Sequence, residues 1–371
     1  MTTKAPRYTK LALWVSCLTA SIITLLSATS GSARAVVDAA QKSDCSGRIK
    51  FLLPGEFEVA SVPYETLRRR IATFTDSAGF AFIDKEAAGD AKVEFVGSTL
   101  ISEELDEIQL SKVVTAFEGE KDRRKKNRAI ESRRPFEIAS VPNIANNFYA
   151  WSVGSEVRLF FRLQNRMYLT AVDGSDELAE NARSAIWLSK NIRSRAAGSI
   201  PSKGSICLPY SSANARGGSH FWQVATLYKL KAHPDVTIMV SDAALRADER
   251  LVKSREKSEK FLINDFWGQN TLGEDVGKIE RGFPTRNGQT ISLANQKGLA
   301  SYVKIFRKSG TVDFGYYGLA QGNPSDTASG DIAVSFITNA RFAKAKGIKP
   351  ITQDEFLKMV ERFQESIALF E

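Results

Sequence analysis

"NNFYAWSVGSEVRLFFRLQNRMYLTAV", residues 146–172, holds three aromatic and β-branched runs separated by short polar breaks. Runs of that composition read as strands, and breaks so short leave room only for tight turns, so the stretch predicts an antiparallel meander. "SDELAENARSAIWLSKNIRS", 175–194, follows it. Leu178, Ala182, Ala185 or Ile186, and Ile192 recur at helical spacing there, with capping residues at the start. A helix placed after a meander covers one face of the sheet, which is the α+β arrangement.

Downstream the same grammar returns in a different sequence. Strands are expected at "SICLP" (205–209), "FWQVATLYKLK" (221–231) and "VTIMV" (236–240), then a charged helix at about 242–262. A hairpin at "ASYVKIFRK" and "TVDFGYYGLA", the strand "DIAVSFIT" and a terminal helix complete it. In that helix Thr352 and Glu355 have the spacing of a capping box, and Phe356, Met359, Val360, Phe363, Ile367 and Phe370 form one apolar stripe. Upstream, "RIKFLLP" and "EFEVASVP" each alternate and close on proline, and "YETLRRRIATF" sets Leu67, Ile71 and Phe74 on one helical face. "AAGSIPSKG", 196–204, breaks the pattern with glycine, proline and serine. We therefore expect two α+β domains, 43–196 and 204–371, each an antiparallel sheet with packed helices.

The first 35 residues belong to neither. Lys4, Arg7 and Lys10 precede the apolar run "LALWVSCLTASIITLL", and Ala33-Arg34-Ala35 offers a small-residue cleavage site. This is the grammar of a secretory signal peptide, with a run shorter than the roughly 20 residues of a spanning helix. Cleavage after Ala35 would place the mature chain in the periplasm, touching the membrane only through that signal; retention as an anchor would leave the domains facing the same compartment. Removing four bases and no acid takes the formal charge from +9 to +5. That balance suits an acidic protein partner or anionic head groups and is too diffuse to argue for nucleic acid.

With the leader gone, Cys45 and Cys207 remain, an even pair in an oxidising compartment, which favours a disulfide between them. Two separately buried thiols are the alternative.

Catalytic motifs are absent. There is no G-x-S-x-G, H-E-x-x-H, Walker loop or G-x-G-x-x-G, and the histidines are His220 and His233 alone. His233 precedes Pro234-Asp235 and reads as a turn residue; His220 sits in a Gly/Ser loop. Cofactors and metals are not expected. A carboxylate-only enzyme stays open, because its groups need no sequence proximity. Two stretches are candidates for contacting a partner. "KDRRKKNRAIESRRP", from 121, carries eight bases against Asp122 and Glu131; it is either a solvated loop or helix face, or a docking patch through Arg123, Arg124, Lys125 and Lys126. "NDFWGQNTLGEDVGKIERGFPTRNG", 264–288, reads as a long loop and offers Trp267, Glu274 and Asp275.

Several short motifs fall together: Cys45-Ser46-Gly47-Arg48 before a strand ending Leu53-Pro54, Ile200-Pro201, Gly204-Ser205-Ile206-Cys207, His233-Pro234-Asp235-Val236, a strand led by Gly298, and Ser366-Ile367 in the final helix. Together they make the chain resemble the immunity proteins that neutralise lipase effectors of the bacterial type VI secretion system. That resemblance implies a non-enzymatic periplasmic protein whose two α+β domains grip a cognate lipase or phospholipase effector. The competing classes are a periplasmic hydrolase with a carboxylate-based site and a module that binds envelope lipid or peptidoglycan.

Overall fold

The meander forms where its sequence places it. A computed structural model of the chain describes residues 41–73, 79–131, 140–215, 222–244, 259–271, 275–282, 288–323 and 329–370. The leader at 1–35, His220 and Glu274 lie outside the described residues. In chain order the elements are β1 (Lys42–Ser46), β2 (Ile49–Leu53), β3 (Phe57–Val59), α1 (Tyr64–Thr73), β4 (Lys92–Phe95), β5 (Ser98–Ile101), α2 (Glu107–Glu131), β6 (Phe148–Val153), β7 (Glu156–Leu163), β8 (Arg166–Val172), α3 (Leu178–Asn191), β9 (Ile192–Ser194), β10 (Ser205–Leu208), β11 (Ser211–Asn214), β12 (Trp222–Leu230) and β13 (Val236–Ala243). They continue with α4 (Glu259–Asn270), β14 (Val276–Arg281), β15 (Gln289–Leu293), β16 (Gln296–Arg307), β17 (Val312–Ala320), β18 (Asp331–Thr338), α5 (Ala340–Ala345), α6 (Gln353–Ser366) and β19 (Ala368–Leu369).

Strands β6, β7 and β8 pair antiparallel, with Phe148 opposite Phe161 and Phe161 opposite Tyr168. Those rings stack at 4.6 and 5.0 Å between centroids, so cross-strand aromatic contacts fix the register. Helix α3 covers this sheet through Ala185, Leu188 and the following Ile192. Its start differs from the expectation: Glu177 at the N-cap makes no side-chain bond. Instead the Asn181 side chain accepts from Ser175 N at 3.1 Å and donates to the Ser155 and Ser175 carbonyls. The turn is held from inside the helix, and Leu178 is left exposed.

The meander is the end of a longer sheet of thirteen strands. Its path is β14-β16-β17-β18-β13-β12-β4-β5-β8-β7-β6, with β15 on β16 and β3 on β12. Strands from before and after residue 200 meet at β12, where Trp222 lies opposite Phe95 and Tyr228 opposite Val59. Two three-stranded sheets, β1-β2-β19 and β10-β11-β9, complete an α+β architecture.

The later strands read as nearly unbroken apolar runs because both of their faces are covered. Alternate residues enter different cores. Leu227, Val303 and Leu319 join one cluster with Trp267 and the meander, while Tyr228, Tyr302, Tyr316 and Phe336 join another under α6. Helix α6 has the capping box read from its sequence, Thr352 with Glu355, and buries Phe356, Met359, Val360 and Phe363. Each such side chain contributes roughly 1.5–3 kcal/mol of burial. The stripe does not continue to Phe370 as helix; the chain turns extended at Ile367 and adds β19 to β2.

Most of the charged helix expected at about 242–262 lies outside the described residues, at 245–258. Strand β13 runs to Ala243, and the described helix is α4, from Glu259. The loop expected at 264–288 is therefore half of a helix followed by β14. Gly315 explains why α4 sits where it does. A Cβ there would come within 2.5 Å of the Trp267 ring, so only glycine lets the helix seat its indole against β17.

Candidate partner-binding surface

Two regions bear on binding: a buried junction that sets the molecule's shape and an exposed face on α2. The junction forms around β1. Cys45 is bonded to Cys207 across 162 positions of sequence, with Cα atoms 5.9 Å apart. Gly47 and Cys207 also exchange backbone hydrogen bonds of 2.8 and 2.7 Å. Asp44, fully buried, accepts from Arg195 Nη1 at 2.6 Å, and Arg195 Nε donates to the carbonyls of Leu208 and Ser211. On the other side Asp242, also fully buried, accepts from Arg48 N, Nε and Nη2 and from Trp222 Nε1 at 2.7–2.9 Å. Gly47 has φ +60°, and a Cβ on it would meet Asp242 at 2.4 Å, so this contact also requires glycine. Asp44, Cys45 and Cys207 place potential ligand atoms within 4.8 Å of one another, but both sulfurs are in the disulfide and offer no thiolate for a metal.

Farther along β12, buried Lys229 donates to Asp84 Oδ2 at 2.7 Å and to Glu86 Oε2 at 2.6 Å. This ties the segment before β4 to the middle of the large sheet. The Asp84 carboxyl is pushed up by burial, but the hydrogen bond and charge of Lys229 outweigh that and hold it below its ordinary value.

Helix α2 packs Leu110, Val113 and Phe117 inward, and Phe117 stacks on Phe160 at 4.7 Å. Its start is capped reciprocally: Gln109 N donates to Asp106 Oδ1 at 2.7 Å, and Asp106 N donates to Gln109 Oε1 at 3.0 Å. The sequence reading did not place this helix, although that pair and the spacing of 110, 113 and 117 mark it.

The basic run begins on α2 as a helical face. Its arginines are already engaged: Arg123 and Arg124 both donate to buried Glu120, at 2.6–2.8 Å, and Arg124 reaches the Ala72 carbonyl. Burial pushes the Glu120 carboxyl up, and the two guanidiniums reverse this and hold it below the usual carboxylate range. Lys125 and Lys126 are exposed and form no ion pair with any described residue.

At the other end of α2 an open groove of about 640 Å³ runs between the helix and the hairpin ends of the meander. Leu110, Val114 and Met167 line it, with Tyr149 40% exposed at its edge. Arg162 bridges to Glu107 at 2.6 and 3.1 Å, and its hydrogen bonds lower the Glu107 carboxyl. Ile108 beside it is 67% exposed. At 1.5 Å per residue the groove and Lys125 lie about 20 Å apart along one helix, and Ser111, Thr115 and Lys125 fall on the same side of it by helical spacing.

The second candidate stretch is divided. Trp267 is 1% exposed and belongs to the core. Asp275 pairs with Arg307 at 3.1 Å and Arg341 at 3.5 Å, bracing the β16–β17 hairpin against α5. The structure thus does not bring Arg123, Trp267 and Asp275 to a single surface. His233 has the turn role read for it, its carbonyl accepting from Val236 N at 2.9 Å. Two adjacent acids between β5 and α2 serve the structure: Glu103 accepts from Tyr64 N at the start of α1, and Glu104 pairs with Arg166.

Fold and surface together define an α+β protein that offers faces and grooves and shows no convergent set of reactive groups in its two described cavities. No protein-family model and no curated protein matches the chain. Solved structures do. An immunity protein, TplEi of the T6SS from Pseudomonas aeruginosa, in its apo form matches with TM-score 0.55 at 13% identity, covering 89% of this chain and 97% of that one. The same protein complexed with an "L" peptide gives 0.54 at 15% identity over 89% and 98%. A chain of the Tle4–Tli4 complex gives 0.52 at 13% identity over 89% and 97%. The chain has the fold of these immunity proteins over nearly its whole described length, so the expectation from the short motifs is met at the level of fold.

Proposed function

We propose that this chain is an immunity protein: exported with cleavage after Ala35, it binds a cognate lipase or phospholipase effector of a type VI secretion system and blocks it without catalysis. The observation that carries this reading is the end-to-end likeness in fold to T6SS immunity proteins, one of them solved in a complex with Tle4. The Cys45–Cys207 bridge fits an oxidising compartment, and among the described residues no helix is long and apolar enough to cross a membrane. The parts 43–196 and 204–371 would present their faces from one shared sheet, to which the junction at β1 adds a covalent tie, and a relation fixed in advance lowers the ordering cost of gripping a partner. Of the residues expected at the interface, Lys125 and Lys126, with the α2 groove, are those we place against the effector. Arg123 and Arg124 support them through Glu120.

The test is to express a candidate type VI lipase effector in the periplasm of a host, with and without this chain, beginning with any lipase-like gene found next to this one. Protection together with a stable complex of the purified pair supports the reading, and a leaderless chain should fail to protect. A wild-type chain that neither protects nor binds overturns it. The same purified chain tests the hydrolase alternative, which the immunity reading sets aside. Turnover of lipid or peptidoglycan substrates by the purified chain would restore it.

A further inference from the structure

The small sheet β10-β11-β9 carries a second cavity, away from α2. It is an open pocket of about 440 Å³ lined by Arg193, Lys203, Ser194, Ser205, Ser212 and Asn214 among others, with no carboxylate in its wall. The register explains the cluster. Arg193 lies opposite Ser212 and Ser205 opposite Asn214, and cross-strand partners share a face, so these four side chains point the same way. Cys207, opposite Ser212, closes the buried end of that face through its bond to Cys45.

The charge in this pocket is unspent. Arg195, which also lines it, is buried and committed to Asp44 and to the carbonyls of Leu208 and Ser211. Arg193 bonds only its neighbouring Ile192 carbonyl, and neither it nor Lys203 pairs with a carboxylate among the described residues. The hydroxyls of Ser194 and Ser212 bond to no described residue. Two cations held near several hydroxyls, with no carboxylate among the described lining residues and Asp44 met by Arg195, make a positive concavity that attracts negative charge.

From this geometry we infer that the pocket is a docking site for an acidic, carboxylate-bearing stretch of a protein partner. An open pocket of about 440 Å³ has room for much more than one small oxyanion. An extended peptide fills such a space, and its alternate side chains, about 7 Å apart, can present two carboxylates to Arg193 and Lys203 while its backbone meets the serines. The partner is the effector proposed above, so the assignment of the segment to it rests on that reading; the pocket's own chemistry does not.

The experiment titrates the mature chain with a labelled hexaglutamate peptide, with hexalysine, inorganic phosphate and phosphatidic acid vesicles as parallel probes. Hexaglutamate should bind in a salt-dependent way and hexalysine should not. Arg193→Ala with Lys203→Ala should weaken the peptide by at least about tenfold at unchanged unfolding midpoint, while Lys344→Ala with Lys358→Ala, two exposed lysines that line neither cavity, should leave it unaltered. Equal binding to the doubly substituted pocket, no binding by the wild type, or binding only of phosphate or vesicles overturns the proposal. Pull-down with the effector separates the two readings. Peptide binding without effector binding sinks the immunity reading and keeps an acidic docking pocket; effector binding without peptide binding does the reverse.

Discussion

The junction at β1 and the outer face of α2 use similar residues in opposite ways. At the junction Arg48, Arg195, Asp44 and Asp242 come from positions up to about 200 residues apart, are buried or, for Arg48, half-buried, and the two carboxylates are met by 2.6–2.9 Å hydrogen bonds. On α2 the charges are sequence neighbours; Glu120 takes two arginines, and Lys125 and Lys126 face solvent. A buried charge without its partner carries a desolvation cost of several kcal/mol, so the junction tolerates a single arrangement. An exposed lysine carries almost none and stays available to another molecule. The junction thereby fixes shape, while α2 keeps two lysines exposed.

Breaking the junction should therefore cost stability first. Replacing Cys45 and Cys207 by alanine opens a loop of 162 positions and should remove about 4–5 kcal/mol in the chain-entropy picture. Urea unfolding of oxidised and reduced wild type reads the same quantity, and identical midpoints would show that the noncovalent contacts suffice. Asp242→Ala comes next. It removes the carboxylate that meets the half-buried Arg48 guanidinium and the acceptor of the Trp222 indole, at a cost of about 2–3 kcal/mol. A loss below about 1 kcal/mol by the same unfolding measurement would mean that water enters the site and the contrast with α2 is weaker than drawn.

Glu120 is the intermediate case, a buried acid under an exposed face. Glu120→Gln should cost about 1.5 kcal/mol at neutral pH, the scale of a charged hydrogen bond. The sign of its pH dependence follows from a folded pKa held below the unfolded one. Its stabilisation is complete above the unfolded value of about 4.3 and is lost as pH falls through the folded one. Thermal unfolding of wild type and variant should thus differ at pH 7 and converge in acid. A difference that persists unchanged at low pH would assign Glu120 a packing role.

Legibility follows the same division between local and distant causes. The meander, the capping box of α6 and the cysteine pair were readable because turn lengths, a three-residue spacing and a count of two are local facts. The pairing of Arg195 with Asp44 has no signal in either segment, since it depends on two strands meeting 151 positions apart. The stretch 264–288 misled for a related reason. Its glycines and missing periodicity suggest a loop, and the helix is seated by a tertiary contact, the Trp267 ring over Gly315. On α2 the basic run masked the helical period: charges occupy most sides of it beyond Phe117, and the inward face there is carried by Glu120, an acid.

The smallest expected effect on stability is also the one that tests recognition. Lys125→Glu with Lys126→Glu changes two exposed side chains that form no ion pair with any described residue, so unfolding should shift by no more than about 0.5 kcal/mol. The same change reverses the charge of the α2 face and should slow association with the cognate effector and flatten its salt dependence, because rim charges act mainly on the rate of encounter. Arg123 and Arg124 are the unsuitable targets, since reversing them also releases Glu120 and mixes a stability loss into the affinity. If the lysine variant binds with unchanged association rate and salt slope, Lys125 and Lys126 are not at the interface, and the pocket between β9 and β11 is the next face to test by the same measurement.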